Sequence, residues 1–411
     1  MALSLRKNFG FSVIGNLFYA ASQYIILLIF IKLYSIEDVG MFIFAGAFTS
    51  PVMLALDMQL RNFYITDQKN ELALNDYFGF RTISNILGLI GLTLAAFFLK
   101  PEYLVVILIV SLIKVFESQL DLIYGVYQKK HHLDYVAYSR AVRGILAVFS
   151  VGLVSFIFRD LIYSLLAYLV SWFILYFLYE RRQVVKRGFA KLNEFRFSVP
   201  NKRNLGLLLT LCIPMFFSIL VDKYYLNYPR LKVESLFGVE MLGIFGSLLY
   251  FKSLGGQFIS SVAHASMPKL SEFVFNKNKK SFNILVLKMV GVGFLIGFTL
   301  TGIIYLGGER LLVMIYTKEY AIYNDVLVLI LIGTTITFSY VFITSAITAM
   351  RKQWVRFPIS IISFTVLLVL FRFFSVDTLR DIAIIVILAE AVSFVIYYST
   401  YIVFINRIFK T

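Results

Sequence analysis

The sequence contains little of what soluble enzymes and metalloproteins depend on. Its 411 residues include one cysteine, Cys212, and three histidines, so an internal disulfide is impossible and zinc ligands are scarce. Charged residues make up only 15%, against about a quarter in an average soluble domain. No G-x-x-x-x-G-K-[ST] phosphate loop occurs, and we find no nucleophile with a credible base. The sequence therefore predicts no metal, no cofactor and no enzymatic activity.

Apolar residues are what the chain has in abundance. They make up 60% of the sequence, and the mean hydropathy is +0.82. A helix that spans a bilayer needs about 20 mostly apolar residues, and twelve stretches are long enough. The pattern predicts an all-α polytopic membrane protein with twelve transmembrane helices and no large soluble domain. The predicted spans are 9–31, 39–60, 78–99, 103–127, 136–158, 161–179, 205–226, 240–267, 284–306, 322–349, 354–373 and 382–405.

The formal net charge of +16 fits either nucleic-acid binding or a membrane topology. With the N-terminus assigned to the cytoplasm, 27 of the 39 basic residues fall in predicted cytoplasmic segments and nine in external ones. Lys and Arg concentrate in the cytoplasmic loops of membrane proteins. We therefore expect both termini in the cytoplasm and no nucleic-acid partner. The remaining three basic residues, Lys114, Lys223 and Lys252, lie within spans.

The longest polar segment divides the chain into two sets of six spans. It runs over 181–203 and carries eight basic residues, which is typical of a cytoplasmic linker. Each half repeats the pattern Glu-x-x-Gly-x-Phe just before its second helix, at 37–42 and at 240–245. Because six is an even number, duplicated halves would share one orientation, as in parallel-repeat transporters. We expect two six-helix bundles, 1–180 and 204–411, around a central cavity.

Charged side chains inside the predicted spans are the first candidates for a functional site, because a charge at mid-bilayer costs about 2.5–3.5 kcal/mol on insertion scales. Lys114, Glu117 and Asp121 follow the spacing i, i+3, i+7 and share one face of the fourth span. For this face and for Lys252 we favour a water-filled cavity in which cations meet a phosphate and carboxylates bind a proton or Na⁺. The other candidates are Asp57 and Arg61 at i, i+4 in the second span, Asp222 and Lys223 in the seventh, and Glu390 in the twelfth.

Uncharged polar residues form a stripe along the first span. Ser12, Asn16, Tyr19 and Gln23 are spaced by four, three and four residues, which places them on one helical face. For this stripe, hydrogen bonding between helices and a role in the cavity explain the pattern equally well. The same two explanations remain open for Asp57 and Arg61.

Proline and glycine inside spans form the last group of candidates. Pro51 is expected to break the second span, and Gly255-Gly256 lies midway through the eighth. Such residues permit either close helix packing or bending. Tight helix contacts and hinges for alternating access are both compatible with their positions.

Several segments together resemble one family of membrane proteins. The fourth span reads KVFESQLDLIYGVYQK over 114–129 and is followed by SRAVRG at 139–144. The second half contains LGIFGS at 242–247 and PKLS at 268–271, and its first helix carries the acid-base pair at 222–223. The combination is similar to the polysaccharide repeat-unit flippases (Wzx-like) of the multidrug/oligosaccharidyl-lipid/polysaccharide exporter superfamily. The likeness extends over essentially the whole chain in length, span count and six-plus-six arrangement.

The resemblance implies translocation of an undecaprenyl-diphosphate-linked oligosaccharide repeat unit across the bacterial plasma membrane, by alternating access, for cell-surface polysaccharide biosynthesis. The implied partners are that lipid-linked glycan, membrane lipids, and the polysaccharide polymerase and chain-length machinery. The implied site residues fall into three groups. They are Lys114, Lys252, Lys223, Asn16 and Gln23 for substrate binding; Glu117, Asp121, Asp222, Asp57 and Glu390 for ion coupling or charge balance; and Arg61, Pro51, Gly255 and Gly256 for structure.

Two other functions compete with this interpretation. A cation-coupled multidrug exporter of the same superfamily shares the twelve-helix plan, although the fourth span here does not look like that of the drug antiporters. A membrane-embedded polymerase or glycosyltransferase is expected to have a large external loop, whereas the longest predicted external segments have only about 16 residues. Lipid-linked repeat units trapped on the cytoplasmic leaflet of a deletion strain would distinguish a flippase from a drug exporter.

Overall fold

The computed structural model describes residues 5–67, 71–195 and 197–409; the side chain of Ser12 lies outside the described residues. Within these ranges the regular secondary structure is helical, with no strand. Eleven segments are long and apolar enough to cross a membrane. One of them, Lys202–Phe275, has 74 residues and is interrupted at Gly238, so the described part of the chain contains twelve such helices. The predicted fold class is confirmed.

The twelve helices are numbered in chain order. The first six are α1 (Leu5–Leu33), α2 (Ile36–Leu56), α3 (Leu74–Leu99), α4 (Leu104–Lys129), α5 (Leu133–Phe158) and α6 (Leu161–Ile174). The last six are α7 (202–237), α8 (239–275), α9 (Lys279–Ile315), α10 (Asn324–Ala349), α11 (Arg356–Phe373) and α12 (Leu379–Ile408). Two additions matter for the site: a short helix, Leu60–Thr66, after α2, and a π-helical segment, Leu175–Glu180, that continues α6 into Arg181–Lys186.

Local sequence sets the starts of several helices. Before α2, the Ser35 hydroxyl accepts a hydrogen bond from the Asp38 backbone N–H at 3.1 Å, and the Asp38 carboxylate accepts one from the Ser35 backbone. Before α6, Asp160 accepts a hydrogen bond from the Ile162 backbone N–H at 2.8 Å. Such caps satisfy N–H groups that the first turn leaves unpaired, and each contributes roughly 1 kcal/mol. The ends of these helices therefore follow from short polar patterns in the sequence.

The described residues form two compact units along the chain. Those through Glu234 belong to the first unit and those from Ser235 onward to the second. In the first unit α1 packs on α5, and α4 packs on α2 and α3. In the second unit α10 packs on both α9 and α12. The boundary falls inside α7, whereas the predicted linker is 181–203; the division into bundles 1–180 and 204–411 stays a prediction.

The path of the second span differs from the prediction. Pro51 lies inside α2, which continues to Leu56, so the expectation that Pro51 breaks this span is wrong. Neighbouring groups in a membrane bundle can satisfy the backbone carbonyl that a proline frees, and the helix therefore need not end there. The actual break comes after Asp57, where Met58 and Gln59 have φ values of 47° and 52°. It separates α2 from the short helix Leu60–Thr66.

Candidate functional site

Lys114 and Glu117 of α4 face α1 inside the first unit. The Lys114 Nζ lies 2.7 Å from Glu117 Oε2, so the two side chains form an ion pair within one turn of helix. Tyr19 of α1 donates a hydrogen bond from its hydroxyl to the other carboxylate oxygen, also at 2.7 Å. Both oxygens of Glu117 are therefore occupied, and the lysine charge is neutralised locally.

The rest of the polar stripe on α1 also meets partners inside the first unit. Asn16 accepts a hydrogen bond from Arg140 of α5. The Gln23 side-chain oxygen accepts one from the Tyr168 hydroxyl of α6 at 2.9 Å. Each of these contacts joins two helices, as expected when polar groups in a membrane bundle pair with one another. A role of Asn16 and Gln23 in substrate binding stays a prediction.

Two arginines of α5 lie inside the first unit; the charge count assigned them to the cytoplasmic segment 128–143, which overlaps the predicted span 136–158. Arg143 is buried, and its guanidinium carbon lies 3.8 Å from the ring centroid of Tyr19 and 4.5 Å from that of Trp172. Aromatic faces attract cations at such distances. Because α5 already begins at Leu133, Arg140 and Arg143 lie about 10 and 15 Å along it.

The sequence does contain a signal that would have found these arginines. The buried positions of α5 recur at helical spacing and form one row: Val136, Ala137, Ser139, Arg143, Gly144, Ala147, Val151 and Ser155. Arg143 is part of that row, so a helical-face analysis extended toward Leu133 places it in the interior. The charge count nevertheless placed Arg143 with the cytoplasmic residues, although the predicted span 136–158 contains it.

Arg81 is a further interior cation that the loop assignment missed. It lies in α3, its side chain is fully buried, and it forms an ion pair with Asp57. It also donates a hydrogen bond to the Ser118 hydroxyl of α4 at 2.8 Å, and Ser118 lies 2.6 Å from the Asp57 carboxylate. The three side chains thus join the end of α2 to α3 and α4.

Asp57 and Arg61, which are spaced i, i+4 in the sequence, have different partners in the structure. Arg61 donates hydrogen bonds to Asp121 at 2.9 Å and to Gln128 at 2.6 Å, both on α4. The reason is the break at Met58 and Gln59, because residues four apart share a helical face only when the helix between them is continuous. The proposed roles of Asp57 and Asp121 in charge balance, and the structural role of Arg61, stay predictions.

The second unit contains the same type of cluster around Lys252. The Lys252 Nζ lies 3.0 Å from Glu390 Oε1 of α12 and 3.2 Å from the Thr337 hydroxyl of α10. Tyr340 of α10 donates a hydrogen bond to the other Glu390 oxygen at 2.8 Å. Glu390 is only 2% exposed, and Lys252 is 21% exposed. In each unit, therefore, a lysine and a tyrosine hold the two oxygens of one glutamate.

The remaining predicted residues are less informative. Asp222 and Lys223 are half-buried on α7, where adjacent side chains point about 100° apart. A Cβ atom added at Gly255 would lie 2.6 Å from the Phe338 ring, whereas one at Gly256 would have nothing within 4 Å. Only Gly255 is therefore at a close helix contact. Among the described residues, no group of three or more His, Cys, Asp or Glu side chains is placed to hold a metal ion.

Comparison with known proteins assigns the chain to a family. No family model matches the chain. The capsular polysaccharide biosynthesis protein CapF of Staphylococcus aureus is 30% identical to it over 396 residues, which cover 96% of this chain and 98% of the relative. The chain belongs to the CapF family. The family resemblance noted in the sequence is thereby confirmed.

Solved structures define the fold of this CapF-family chain. The inward-facing conformation of a multidrug resistance MATE family transporter of the MOP superfamily matches it with a TM-score of 0.68 at 13% identity, covering 100% of this chain and 97% of the other. A MOP superfamily transporter from Pyrococcus furiosus matches with a TM-score of 0.67 at 14% identity, covering 98% and 97%. The chain is therefore a multi-pass membrane protein with the MATE transporter fold.

Proposed function

We propose that this CapF-family chain translocates an undecaprenyl-diphosphate-linked oligosaccharide repeat unit across the bacterial plasma membrane by alternating access, with both termini in the cytoplasm. The observation that carries the proposal is the pair of intramembrane lysines, Lys114 and Lys252, each held by a glutamate on a spanning helix. A diphosphate needs cations, a glycan needs polar surroundings, and the polyprenyl chain can remain in lipid. A capsular polysaccharide relative and a transporter fold support the same function.

The glutamates give the lysines a way to bind and release an anion. A phosphate oxygen that approaches Lys114 competes with Glu117, which already accepts a hydrogen bond from that lysine at 2.7 Å. Binding is favoured when the carboxylate takes up a proton or turns to another partner, because the lysine charge then becomes available. Glu390 would act on Lys252 in the same way. Arg143 adds positive charge beside Tyr19 in the first unit.

A multidrug exporter is the second candidate, and the observation that favours it is the fold shared with multidrug MATE transporters. In an exporter of cationic drugs the carboxylates, rather than the lysines, would hold the substrate. The two functions therefore differ in the activity that neutral variants of these pairs would lose, which is flipping of a lipid-linked glycan for a flippase and export of a cationic drug for an exporter.

The test uses variants in which a lysine and its glutamate are both neutralised, so that no unpaired charge remains in the membrane. We expect K114Q/E117Q and K252Q/E390Q to insert normally and to lose flipping of lipid-linked repeat units by at least about tenfold, which corresponds to one lost charged contact. The assay measures transfer of repeat units to the outer leaflet, in cells and in vesicles that contain the purified protein.

The control is K269Q/E272Q, which neutralises an exposed ion pair of 3.0 Å on α8. It should flip substrate at the wild-type rate. Near-normal flipping in both interior variants would remove the lysines from the site. Unchanged surface polysaccharide in a deletion strain, together with altered drug tolerance, would favour the exporter instead.

A further inference from the structure

A small cavity of about 180 Å³ lies in the first unit, away from the Lys114 cluster. Tyr127, which contributes to its wall, is 13 residues beyond Lys114 on α4 and therefore about 20 Å further along that helix. The cavity forms where the end of α4 and the start of α5 meet the continuation of α6. Its polar walls are Tyr127, Tyr135, Tyr138, Tyr179, Glu180, Gln183 and Arg187.

Glu180 places a buried carboxylate in one wall of this cavity. Its side chain is fully buried. The Oε2 atom accepts a long hydrogen bond of 3.3 Å from the Tyr127 hydroxyl, and Ser139 and Arg143 also interact with the carboxylate. Among the described residues, Oε1 nevertheless lacks a hydrogen-bond partner of normal geometry. A buried carboxylate oxygen without a partner is unfavourable, and a donor that also carries positive charge would relieve it best.

Tyrosine rings and one arginine complete the lining. Four tyrosines share the wall with Glu180, and the faces of such rings attract cations, as in the aromatic cages that bind ammonium groups. Arg187 is exposed, and its guanidinium carbon lies 3.9 Å from the Tyr135 ring centroid. Its Nη1 donates a hydrogen bond to the Tyr135 hydroxyl at 2.5 Å, which uses one of the five N–H donors of the side chain. The cavity thus has a buried acid and a more accessible base.

The rim of the cavity faces the apolar environment around the helices. Tyr138 and Val142 are 59% and 38% exposed, and Ile145 and Phe149 continue the same exposed row along α5. In a membrane-spanning helix an exposed row of apolar side chains contacts lipid. Basic residues such as Arg182 and Lys186 follow within a few positions of Glu180, which is typical of the headgroup level.

We propose that this cavity binds the headgroup of a phospholipid that carries a primary amine next to its phosphate, such as phosphatidylethanolamine. The ammonium group donates to Glu180 Oε1 among the tyrosine rings, and the phosphate accepts from Arg187. The acyl chains extend along Val142, Ile145 and Phe149. The cavity is smaller than the roughly 300–1,000 Å³ of sites for drug-sized ligands, which fits a headgroup better than an oligosaccharide.

The charges of the cavity should also favour phosphatidylethanolamine over an anionic lipid. Phosphatidylglycerol can satisfy Arg187 with its phosphate, but it has no positive charge for Glu180. Binding should therefore depend on the amine through Glu180 and on any lipid phosphate through Arg187. The roles of Glu180 and Arg187 in lipid binding can be tested whether or not the chain transports a glycan.

The experiment compares the purified full chain with phosphatidylethanolamine and phosphatidylglycerol of identical acyl chains. Native mass spectrometry counts retained lipid, and thermal unfolding in detergent reports stabilisation. We expect phosphatidylethanolamine to bind about tenfold more tightly, as one added charged contact implies. E180Q should lose this preference because the amide has no negative charge, and R187Q should weaken both lipids.

E272Q removes an exposed carboxylate from the second unit and should leave both lipids unaffected. Equal retention of the two lipids by the wild-type chain would overturn the proposal. So would an undiminished preference in E180Q that elutes as a folded protein. If E180Q does not fold, R187Q decides the matter, because Arg187 is exposed and unchanged lipid binding in that variant contradicts the assigned phosphate contact.

Discussion

At the scale of single residues, the intramembrane lysines Lys114 and Lys252 each form a neutral pair with a glutamate. Lys252 and Glu390 illustrate this, since the carboxylate is 2% exposed and Tyr340 occupies its second oxygen. Removing one partner of a buried pair leaves an uncompensated charge and is strongly destabilising. Removing both partners is often close to neutral, because the cost of burying the charges disappears as well. The pair is therefore easier to explain by function than by stability.

We expect K252Q to lower the free energy of unfolding by about 3–5 kcal/mol, because Glu390 would remain buried without its cation. K252Q/E390Q should recover most of that loss. Denaturant or thermal unfolding in detergent measures the two variants and the E390Q single variant, which completes a double-mutant cycle.

The exposed pair Lys269–Glu272 serves as the comparison, with side chains 55% and 52% exposed. Its cycle should give a coupling of at most about 0.5 kcal/mol, since solvent screens exposed charges. Similar couplings for the two pairs would mean that Lys252 and Glu390 are hydrated in the folded protein.

At the scale of helices, run length and composition predicted all twelve spans, because the bilayer imposes a minimum apolar length. The shared face of Lys114 and Glu117 was also predictable, since it lies within one continuous helix. The break after Asp57 was not. Met58 and Gln59 adopt positive φ without being glycine or asparagine, so their sequence contains no turn signal. The different partners of Asp57 and Arg61 follow directly from that break.

Helix contacts in the second unit allow a matched test at Gly255 and Gly256. G255A places a Cβ atom 2.6 Å from the Phe338 ring and should destabilise the protein by about 1–3 kcal/mol, as overpacking does. G256A has open space around its Cβ and should be neutral or stabilising by up to about 1 kcal/mol, because alanine favours the helix. Thermal unfolding of the two variants in detergent gives the comparison.

The tight contact at Gly255 involves a ring and not a backbone atom, so it can be relieved by a smaller side chain. Adding F338L to G255A should therefore recover part of the lost stability. If G255A and G256A shift the unfolding temperature equally, the close approach to Phe338 does not exist in solution.

At the scale of the whole molecule, the basic residues still predict the same orientation after the interior arginines are taken into account. Arg81, Arg140 and Arg143 lie inside the first unit, and removing them from the 27 predicted cytoplasmic residues leaves 24 against nine external ones. The charge asymmetry therefore survives this correction. These three arginines are among the cations closest to the candidate site, although the charge count had treated them only as topology signals.

Cysteine labelling tests the predicted orientation. In a C212A background, which removes the buried natural thiol, E102C and N276C each place one thiol at an exposed position. We expect a membrane-impermeant maleimide to label E102C in intact cells and N276C only after permeabilisation. The reverse pattern would invert the topology, and labelling of both in intact cells would contradict the odd number of crossings, five, that the helices α4 to α8 make between them.

The π-helical segment Leu175–Glu180 affects which insertions and deletions the sixth helix can accept. A π-turn is equivalent to an α-helix with one residue inserted. Deleting one residue there would restore an ordinary α-helix and leave Glu180 on nearly the same face, because the wider π turn already absorbs the extra residue. A deletion of one residue in the α-helical part of α6 has no such relief and would rotate Glu180 by about 100°, away from the cavity. Changes of one residue in length should therefore be tolerated within Leu175–Glu180 and not in the helix before it.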